Sequence, residues 1–352
     1  MSVRDCDSHK LLYHPCEVAA WKVNSFSNPL HAEMGITNKC NHKCKFCTLD
    51  WITHGVDAID KNVMMSTLKE MSGMGVKSIY YAGEGEPTLH KNLSDFIEYG
   101  RELGISQAIS TNGSRFDKVL AEKVVPHLSW IRFSVDAATP SVYSEIHGVK
   151  GDEINNVLKN IADCVEIKRQ TKSNIEIGIQ FILMPENICD VEQLAMMVKK
   201  IGVDNFQVKP AHSHPKSSYA PSVYKFSQES IKKNLETMED DDFSVVVRVK
   251  SMERIIQPRN YKECHGFHFY AIIDAKGDVV PCNVFYGNPE FIYGNLYESS
   301  FKQIWFGDRR KGVIDKITSK CFEMCGDYRC RLDVINRYLE RVKNPEVNDE
   351  FI

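Results

Sequence analysis

Six apolar stretches, with helical patterns between them, run in order between residues 31 and 209. Runs of apolar and β-branched residues predict strands, and an apolar period of about 3.6 residues predicts the helices between them. The strands are expected near 31–37, 77–82, 105–110, 130–135, 174–183 and 204–209, and the helices near 63–74, 92–103, 115–125, 140–147, 152–170 and 190–201. This alternation predicts an α/β fold with a parallel sheet wrapped by helices. The carboxyl ends of parallel strands meet at one rim, where ligands bind.

Three cysteines, Cys40, Cys44 and Cys47, lie within eight residues directly after the first predicted strand. Three thiolates on one loop can hold three corners of a cubane iron–sulfur cluster and leave the fourth iron without a protein ligand. A structural zinc site is the main alternative, with His42, His54 or a distant cysteine as its fourth ligand. Zinc ligands usually come as two close pairs, whereas this triplet stands alone, and disulfides are less expected still. The spacing therefore favours an open iron–sulfur cluster.

The spacing of three and then two residues between these cysteines, with the aromatic Phe46 before the last, resembles the radical S-adenosylmethionine (SAM) enzymes. The resemblance implies a partial (β/α)6 TIM-like barrel. It implies that the open iron of a 4Fe-4S cluster chelates the amino and carboxylate groups of SAM. An electron then cleaves SAM to a 5'-deoxyadenosyl radical, which takes a hydrogen atom from the substrate. A flavodoxin- or ferredoxin-type electron donor is implied as a partner.

Composition sets few further limits. The chain has 352 residues, 43% of them hydrophobic, and a formal net charge of −3, which predict one large globular domain and a small one. It begins without an apolar signal region and contains no run long enough for a membrane span. We therefore expect a cytoplasmic protein whose twelve cysteines are reduced and available to metal. Scattered basic residues argue against nucleic-acid binding.

A turn rich in glycine and glutamate follows the second predicted strand. Its residues are Gly83, Glu84, Gly85, Glu86 and Pro87. Glycines let a backbone approach a ligand closely, and a carboxylate accepts hydrogen bonds from an ammonium group. The turn resembles the Gly-Gly-Glu-Pro motif with which radical SAM enzymes hold the methionine amino group of SAM. Glu84 stands where that motif has its first glycine, and the two glycines that remain make this departure tolerable. Taken alone, such a sequence is an ordinary turn.

Polar residues also end the third, fourth and fifth predicted strands. Hydroxyl, amide and carboxylate groups there suit a ribose, whose hydroxyls need donors and acceptors together. The candidate cofactor-binding residues are Thr111, Asn112, Ser134, Asp136, Gln180 and Asn187. The resemblance places Ser134 and Asp136 where family members contact the ribose or the methionine carboxylate of SAM. A plain turn is an equal alternative for Thr111 and Asn112. The fifth strand resembles the adenine-stacking segment of the family but also fits an ordinary core strand.

Five further cysteines lie near the C-terminus: Cys264, Cys282, Cys321, Cys325 and Cys330. Four residues separate Gly277 from Cys282, which closes a predicted hairpin of 269–273 and 279–281. This arrangement resembles the auxiliary-cluster extensions called SPASM and twitch domains. Five thiols complete one 4Fe-4S cluster but not two, so we expect a twitch-like form and two clusters in the whole chain. The preferred ligands are Cys264, Cys282, Cys321 and Cys325, with Cys330 as the substitute. A zinc ribbon is the alternative.

These patterns divide the chain into five parts. They are an N-terminal extension (1–30), the barrel (31–210), a linker region (211–260) with a helix near 227–238 and a strand near 243–249, the auxiliary-cluster domain (261–335), and a C-terminal helix and tail (336–352).

The candidates for contact with the substrate are Tyr143, His147, Lys209, His212 and His214, near strand ends or on the linker. No motif names the substrate. We expect a small molecule such as a sugar, aminocyclitol or nucleotide-linked sugar, because the residues before the barrel are too few for a peptide leader-binding domain. An auxiliary cluster beside the substrate favours net oxidation. The alternatives are a peptide maturase, a redox-neutral epimerase or mutase and, remotely, a non-catalytic zinc or electron-transfer protein.

Overall fold

In the part of the chain that the computed structural model describes, the strands form one sheet of ten. The structure describes residues 9–219, 228–326, 328–349 and 351, without the side chains of residues 228 and 319–322. The strands are β1 (His31–Met34), β2 (Ser78–Tyr81), β3 (Ser106–Thr111), β4 (Trp130–Ser134), β5 (Glu176–Leu183), β6 (Asn205–Pro210), β7 (Ser244–Val247), β8 (Tyr270–Ile273), β9 (Asp278–Val280) and β10 (Gly294–Asn295).

The sheet order is β10-β9-β8-β1-β2-β3-β4-β5-β6-β7. Neighbouring strands from β8 through β1 to β7 are parallel, whereas β9 and β10 pair antiparallel with their neighbours. The six predicted strands occupy the centre of the sheet in chain order. This confirms the predicted partial TIM-like (β/α) barrel, with a small C-terminal extension that begins at the β8–β9 hairpin.

Two strands lengthen the parallel sheet beyond the six predicted ones. The strand expected near 243–249 is β7, which pairs in parallel with β6. At the other edge, β8 pairs in parallel with β1. The region after β6 thus adds a strand to the barrel, and the cysteine-rich extension begins on a strand of the same sheet. Local sequence patterns predict that a strand exists, but they do not say which distant strand lies beside it.

Twelve helices are present in the described part of the chain. They are α1 (Pro15–Asn24), α2 (Lys61–Gly73), α3 (Leu93–Glu102), α4 (Lys118–Val124), α5 (Pro140–His147), α6 (Glu153–Thr171), α7 (Val191–Ile201), α8 (Gln228–Glu236), α9 (Val249–Ile256), α10 (Phe301–Phe306), α11 (Asp308–Cys325) and α12 (Asp333–Lys343). Helix α4 begins later than expected because Asp117 caps it, accepting from the Leu120 amide at 2.9 Å. Within the described ranges, no helix is both long and apolar enough to cross a lipid bilayer.

Successive strand residues face opposite sides of the sheet. In β4, Ile131 and Phe133 are buried in the main hydrophobic core, whereas Arg132 and Ser134 are partly exposed. We call the side of Arg132 and Ser134 the inner face. A parallel sheet covered on both faces normally carries apolar residues on both. A polar, partly exposed inner face therefore indicates a cavity at the centre of the barrel.

Candidate active site

The cysteine triplet lies on a loop at the carboxyl end of β1. The end of α5 holds this loop through its backbone. The Lys43 amide donates to the His147 carbonyl at 3.0 Å, and the Lys45 amide donates to the Ile146 carbonyl at 2.8 Å. The chain between the cysteines therefore has a fixed path, and none of the three thiols is in a disulfide.

The three thiols lie within electrostatic range of one another. Burial raises the pKa of Cys40 to about 11, and it also raises the pKa values of Cys44 and Cys47. A charge on Cys47 raises the pKa values of the other two thiols further. Buried thiolates that repel each other are stabilised by a bound cation. This donor set fits a cluster that takes three protein thiolates and leaves one iron open.

The two histidines named as alternative zinc ligands lie in different surroundings. His54 Nδ1 is 3.2 Å from the Asn38 carbonyl oxygen. His42 is buried, and ligand atoms of His42, Cys44 and His147 lie within 4.8 Å of one another. This trio uses one cysteine of the triplet and leaves the other two unexplained. The zinc alternative therefore accounts for less of the loop than an iron–sulfur cluster does.

A buried row of side chains runs beneath the loop. Cys44 Sγ is 3.3 Å from His147 Nδ1, and His147 Nε2 is 3.3 Å from Asp136 Oδ2. Burial lowers the pKa of His147 to about 3 and raises that of Asp136 to about 7, so the imidazole is neutral at pH 7. The Tyr143 ring stacks on His147 with centroids 4.2 Å apart. These three predicted residues, Tyr143, His147 and Asp136, thus lie under the loop and support Cys44.

Glu86 is buried where the ends of β2 and β3 meet. Its Oε1 accepts from the Thr88 amide at 3.0 Å and from the hydroxyls of Thr88 and Thr111 at 2.7 Å each. Its Oε2 accepts from the Asn112 amide at 2.7 Å. Pro87 follows at the start of a short 3-10 turn. Burial raises the pKa of Glu86, which these four hydrogen bonds oppose. The carboxylate therefore joins two strand ends.

The other residues of the turn after β2 contact the protein's own backbone. A Cβ at Gly85 would lie 2.3 Å from the Thr37 carbonyl oxygen, and Gly83 has φ +127, which side chains rarely adopt. Both glycines let the turn pack on the start of the cysteine loop. Glu84, which replaces the first glycine of the motif, is buried and accepts from the Ala275 amide at 2.7 Å. Its side chain therefore ties the barrel to the β8–β9 hairpin.

Asn112 connects the end of β3 to the cysteine loop. Its Nδ2 donates to Asn41 Oδ1 at 2.8 Å, and Asn41 Nδ2 donates to Ser114 Oγ at 2.7 Å. Asn112 Oδ1 in turn accepts from the amide and hydroxyl of Ser114. Sequence reasoning missed Asn41 and Ser114. The position of Asn41 directly after Cys40 was the available signal, since polar residues beside metal ligands usually orient them.

The candidates on β4 and β5 differ in their exposure. Ser134 and Gln180 are opposite each other in register, and both are partly exposed on the inner face. Asn187 is fully buried, and its Nδ2 donates to the carbonyls of Asp136 and Ile182 at 2.8 Å each. Ser134 and Gln180 are therefore placed to contact a ligand, whereas Asn187 shapes the turn after β5.

The residues that follow β6 fold over the cysteine loop. The Ser217 hydroxyl donates to the Cys47 carbonyl at 3.3 Å. The His214 ring stacks on Trp51 with centroids 5.8 Å apart and meets the Tyr328 ring edge-on at 5.0 Å. Burial lowers the pKa of His214 to about 4, so the ring is neutral at pH 7. Because Tyr328 belongs to the C-terminal cysteine region, His214 bridges the two cysteine groups.

Four C-terminal thiols converge at a second centre. They are Cys264, Cys282, Cys325 and Cys330. Burial raises the pKa of Cys282, and the three other thiols raise it further. Burial also raises the pKa of Cys330 to about 12, with Cys264 and Cys325 contributing. Cys282 and Cys330 are thus each within electrostatic range of the other three thiols, and four thiolates are the number that a closed 4Fe-4S cluster requires.

Two side chains at this second centre hold N–H donors close to cysteine sulfur atoms. Asn336 Nδ2 is 3.2 Å from Cys264 Sγ, and Arg259 Nη2 is 3.4 Å from Cys325 Sγ. Such donors stabilise thiolates, and they occupy the place that outer partners of metal ligands usually take. The site thus fits an iron–sulfur cluster. The side chain of Cys321 lies outside the described residues, so its role as a ligand stays a prediction.

Lys209 and His212 lie beside basic residues that sequence reasoning missed. Burial lowers the pKa of Lys209 to about 7, and Arg248, Arg132 and Arg331 lower it as well. Burial lowers the pKa of His212 to about 4, with Lys209 and Arg248 contributing. The available signal was Arg132, a charged residue within an otherwise apolar parallel strand.

Comparisons with known families match the two regions separately. Residues 34–198 match the model of the radical SAM superfamily, and residues 264–331 match the SPASM model, described as an iron–sulfur cluster-binding domain. The first match contains the cysteine loop and the ends of β2 to β5. The second contains all five C-terminal cysteines, including the four that converge.

Curated relatives are distant in sequence. The chain is 24% identical over 292 residues to the antilisterial bacteriocin subtilosin biosynthesis protein AlbA of Bacillus subtilis (strain 168), a match that covers 80% of this chain and 60% of AlbA. It is 23% identical over 302 residues to the tungsten-containing aldehyde ferredoxin oxidoreductase cofactor-modifying protein of Pyrococcus furiosus, with 78% of this chain and 80% of that protein covered. The chain thus spans less than two thirds of AlbA.

Solved structures share the fold. SuiB of Streptococcus suis, bound to SAM, superposes with a TM-score of 0.66 at 18% identity over 96% of this chain and 79% of SuiB. The protein anSMEcpe with bound AdoMet superposes with a TM-score of 0.53 at 17% identity over 90% of this chain and 95% of that chain. The likeness extends through the C-terminal extension and not only the barrel.

Proposed function

We propose that this chain, which belongs to the radical SAM superfamily and carries a SPASM domain, cleaves SAM reductively and takes a hydrogen atom from a substrate at the inner face of the sheet. The observation that carries the proposal is the loop with Cys40, Cys44 and Cys47 at the carboxyl end of β1. It supplies three thiolates, the number that leaves one iron of a cubane open. The family uses iron–sulfur clusters and SAM as its cofactors.

When bound, the cluster and SAM supply a one-electron cleavage that yields methionine and a 5'-deoxyadenosyl radical. The chain's own residues prepare the place. Glu86 and Asn112 hold the end of β3 against the cysteine loop and so fix the backbone that would meet the methionine part of SAM. Ser134 and Gln180 present a hydroxyl and an amide that suit the ribose. His147 supports Cys44 from below.

We also propose a second cluster on Cys264, Cys282, Cys325 and Cys330, and a net oxidation. The cluster held by these four cysteines would accept one electron, so a substrate that gives up a hydrogen atom and then a proton would pass its remaining electron to the C-terminal centre. The product of such a substrate is therefore oxidised by two electrons. A flavodoxin- or ferredoxin-type protein would supply the electron for SAM cleavage. The contacts of His214 with Trp51 and Tyr328 support this proposal, because one ring packs against residues of both cysteine regions.

For the substrate, we propose a small polar molecule, such as a sugar or nucleotide-linked sugar. The inner face supports this choice, because it presents the polar side chains of Arg132, Ser134 and Lys209, which are partly exposed and can contact a ligand. A peptide is the second candidate. AlbA is named for the biosynthesis of a bacteriocin, SuiB has been crystallised with the precursor peptide SuiA, and anSMEcpe with the Cp18Cys peptide. A precursor-peptide gene next to the gene for this chain would favour the peptide, and sugar-tailoring genes would favour the small molecule.

Reductive cleavage is tested with anaerobically reconstituted protein, dithionite and SAM. We expect slow release of 5'-deoxyadenosine without any substrate, measured by chromatography. Joint replacement of the three loop cysteines by Ala should abolish it. Joint replacement of Cys16 and Cys189, which are exposed and outside both groups, is the matched control and should not. Release that persists in the triple variant would show that the loop does not hold the reactive iron.

A further inference from the structure

Four basic side chains gather at the inner face of the sheet. Arg132 lies on β4 and Lys209 near the end of β6, while Arg248 directly follows β7 and Arg331 directly follows Cys330. The three arginines all lower the pKa of Lys209, so each of them lies within electrostatic range of Lys209. We call this group the cationic pocket. Residues from the barrel and from the C-terminal extension both contribute to it.

Strand geometry directs Arg132 and Lys209 to the same side. Their neighbours Ile131 and Val208 are buried on the outer face, and side chains alternate along a strand. The Arg248 amide donates to the Val208 carbonyl at 2.9 Å, which puts the backbone of Arg248 beside the end of β6. Strands β4 and β6 thus present basic residues on the inner face, and the backbone of Arg248 lies beside the second of them.

Arg331 reaches the same cavity from the opposite side. It forms an ion pair with the buried Glu33 on β1, with 2.5 Å between Nη1 and Oε2. Its guanidinium also lies over the rings of Tyr80 and Tyr270, 5.7 and 5.6 Å from their centroids. Half of the side chain remains accessible. Arg331 is therefore held in place by an acid and two rings, while part of it faces the cavity.

An aromatic wall connects Arg331 to Arg132. The Arg132 guanidinium lies 4.7 Å from the centroid of the Trp130 ring, and this ring lies 5.2 Å from that of Tyr80. Arg331 lies over the other end of the same wall. The two guanidinium groups thus flank a continuous aromatic surface of the inner face.

The positive charge of the pocket exceeds the negative charge near it. Among the described residues, Asp136 is the acid that acts on the charge of Lys209, and burial raises the pKa of Asp136 to about 7. Arg331 forms an ion pair with Glu33. Arg132 and Lys209 form no ion pair with any residue that the structure describes, and both are only partly exposed, so their charges leave a positive surplus at the inner face. Such a surplus is unfavourable until an anion compensates it.

We infer that the cationic pocket binds an oxyanion of the substrate, either a phosphate or a carboxylate. This inference rests on the proposed function and adds the chemical class of the substrate to it. Guanidinium groups bind both oxyanions through two parallel hydrogen bonds, and Lys adds a point charge. Arg331 adjoins Cys330, and the chain that leaves Lys209 covers the cysteine loop. An anion held here therefore places the rest of the substrate between the two cysteine groups.

Isothermal titration calorimetry tests the pocket on the reconstituted full-length protein, in low-salt buffer without phosphate or reductant. Pyrophosphate and succinate are titrated separately, and at least one of them should bind. Tighter binding of pyrophosphate assigns a phosphate to the substrate, and tighter binding of succinate assigns a carboxylate. Both Lys209→Met and Arg132→Gln should weaken the preferred anion at least about tenfold, because each removes a charged hydrogen-bond donor. Lys118→Met, which removes the same charge from exposed α4, should not.

Thermal melting provides a readout without any ligand. Lys209→Met removes repulsion among partly buried cations, so the unliganded variant should melt at a higher temperature than the wild type. Pyrophosphate or succinate should raise the melting temperature of the wild type more than that of the variant. A variant that melts lower and responds to anions as the wild type does would overturn the inference.

Three calorimetric results would also overturn it: neither anion binds, both pocket variants bind as the wild type does, or Lys118→Met weakens binding equally. If SAM alone displaces the anion, the pocket belongs to the methionine carboxylate of SAM, and the assignment to the substrate is wrong. None of these titrations needs SAM cleavage. Their failure is therefore distinguishable from a failure of the wild type to release 5'-deoxyadenosine.

Discussion

Glu86→Gln separates two roles for the buried carboxylate after β2: direct contact with SAM, or support of the chain around it. Glutamine keeps the size of the side chain and replaces one oxygen by an NH2 group. In the wild type, Oε1 accepts three hydrogen bonds and Oε2 accepts one, from the Asn112 amide. Whichever way the new amide is turned, the backbone N–H of Thr88 or of Asn112 faces another donor. One N–H that is at least partly buried therefore loses its acceptor.

The expected loss follows from these contacts. A hydrogen bond to a charged group contributes about 1.5–3 kcal/mol, and leaving a buried N–H unsatisfied costs about 1–3 kcal/mol. These two quantities overlap, so the free energy of unfolding should fall by about 2–4 kcal/mol. Because Asn112 also holds Asn41 beside Cys40, the cysteine loop should loosen as well. SAM affinity should then fall together with stability.

Urea unfolding followed by circular dichroism gives the stability, and anaerobic calorimetry gives the SAM affinity. Glu98→Gln, on the exposed side of α3, makes the same chemical change without buried contacts and serves as the control. Thr111→Val should lower the free energy of unfolding less in the Glu86→Gln variant than in the wild type, since Thr111 and Glu86 share a hydrogen bond. A Glu86→Gln protein of undiminished stability that no longer binds SAM would refute the supporting role and show direct contact.

Three further outcomes are expected. Anaerobically reconstituted protein should hold about eight irons and eight sulfides per chain, half of them lost when the three loop cysteines become Ala; zinc, or only about four irons, would contradict two clusters. Burial and the nearby charge of Glu84 raise the pKa of Asp274 to about 7. The neutral carboxyl is therefore favoured in the folded protein, and its contribution to the free energy of unfolding is present below pH ~4 and lost by pH ~8. Relative to Asp274→Asn, the wild type should lose up to about 4 kcal/mol across that range, and parallel urea midpoints at all pH values would refute this. Cys282→Ala should retain 5'-deoxyadenosine release but lose the oxidised product; full product from a folded variant lacking the second cluster would favour a redox-neutral reaction.

The features that the sequence predicted correctly are local ones. A strand followed by a helix is encoded within about thirty residues, so the six units and their order could be inferred from periodicity alone. The matches to the radical SAM and SPASM models confirm the family that the cysteine spacing suggested. For the same reason, the helix expected at 140–147 coincides with α5.

The features that it did not predict depend on pairs of distant residues. Nothing in the residues near β8 indicates that it pairs with β1, more than two hundred positions away. The sequence showed that Glu84 departs from the family motif. It could not show that Glu84 accepts a hydrogen bond from the distant Ala275 amide. The cationic pocket likewise brings together Arg132 and Arg331, which are far apart in the sequence. Such contacts are set by tertiary packing, which has no local sequence signal.

The way in which the extension joins the barrel bears on the proposed oxidation. The β8 strand is part of the barrel sheet, Glu84 fixes the hairpin that follows it, and His214 contacts both Trp51 and Tyr328. These contacts join the barrel to the extension at the sheet, at the hairpin turn and through the residues that follow β6. A substrate held between the groups would therefore meet both at fixed distances. In this arrangement the removal of a hydrogen atom and the removal of an electron can follow one another without movement of a domain.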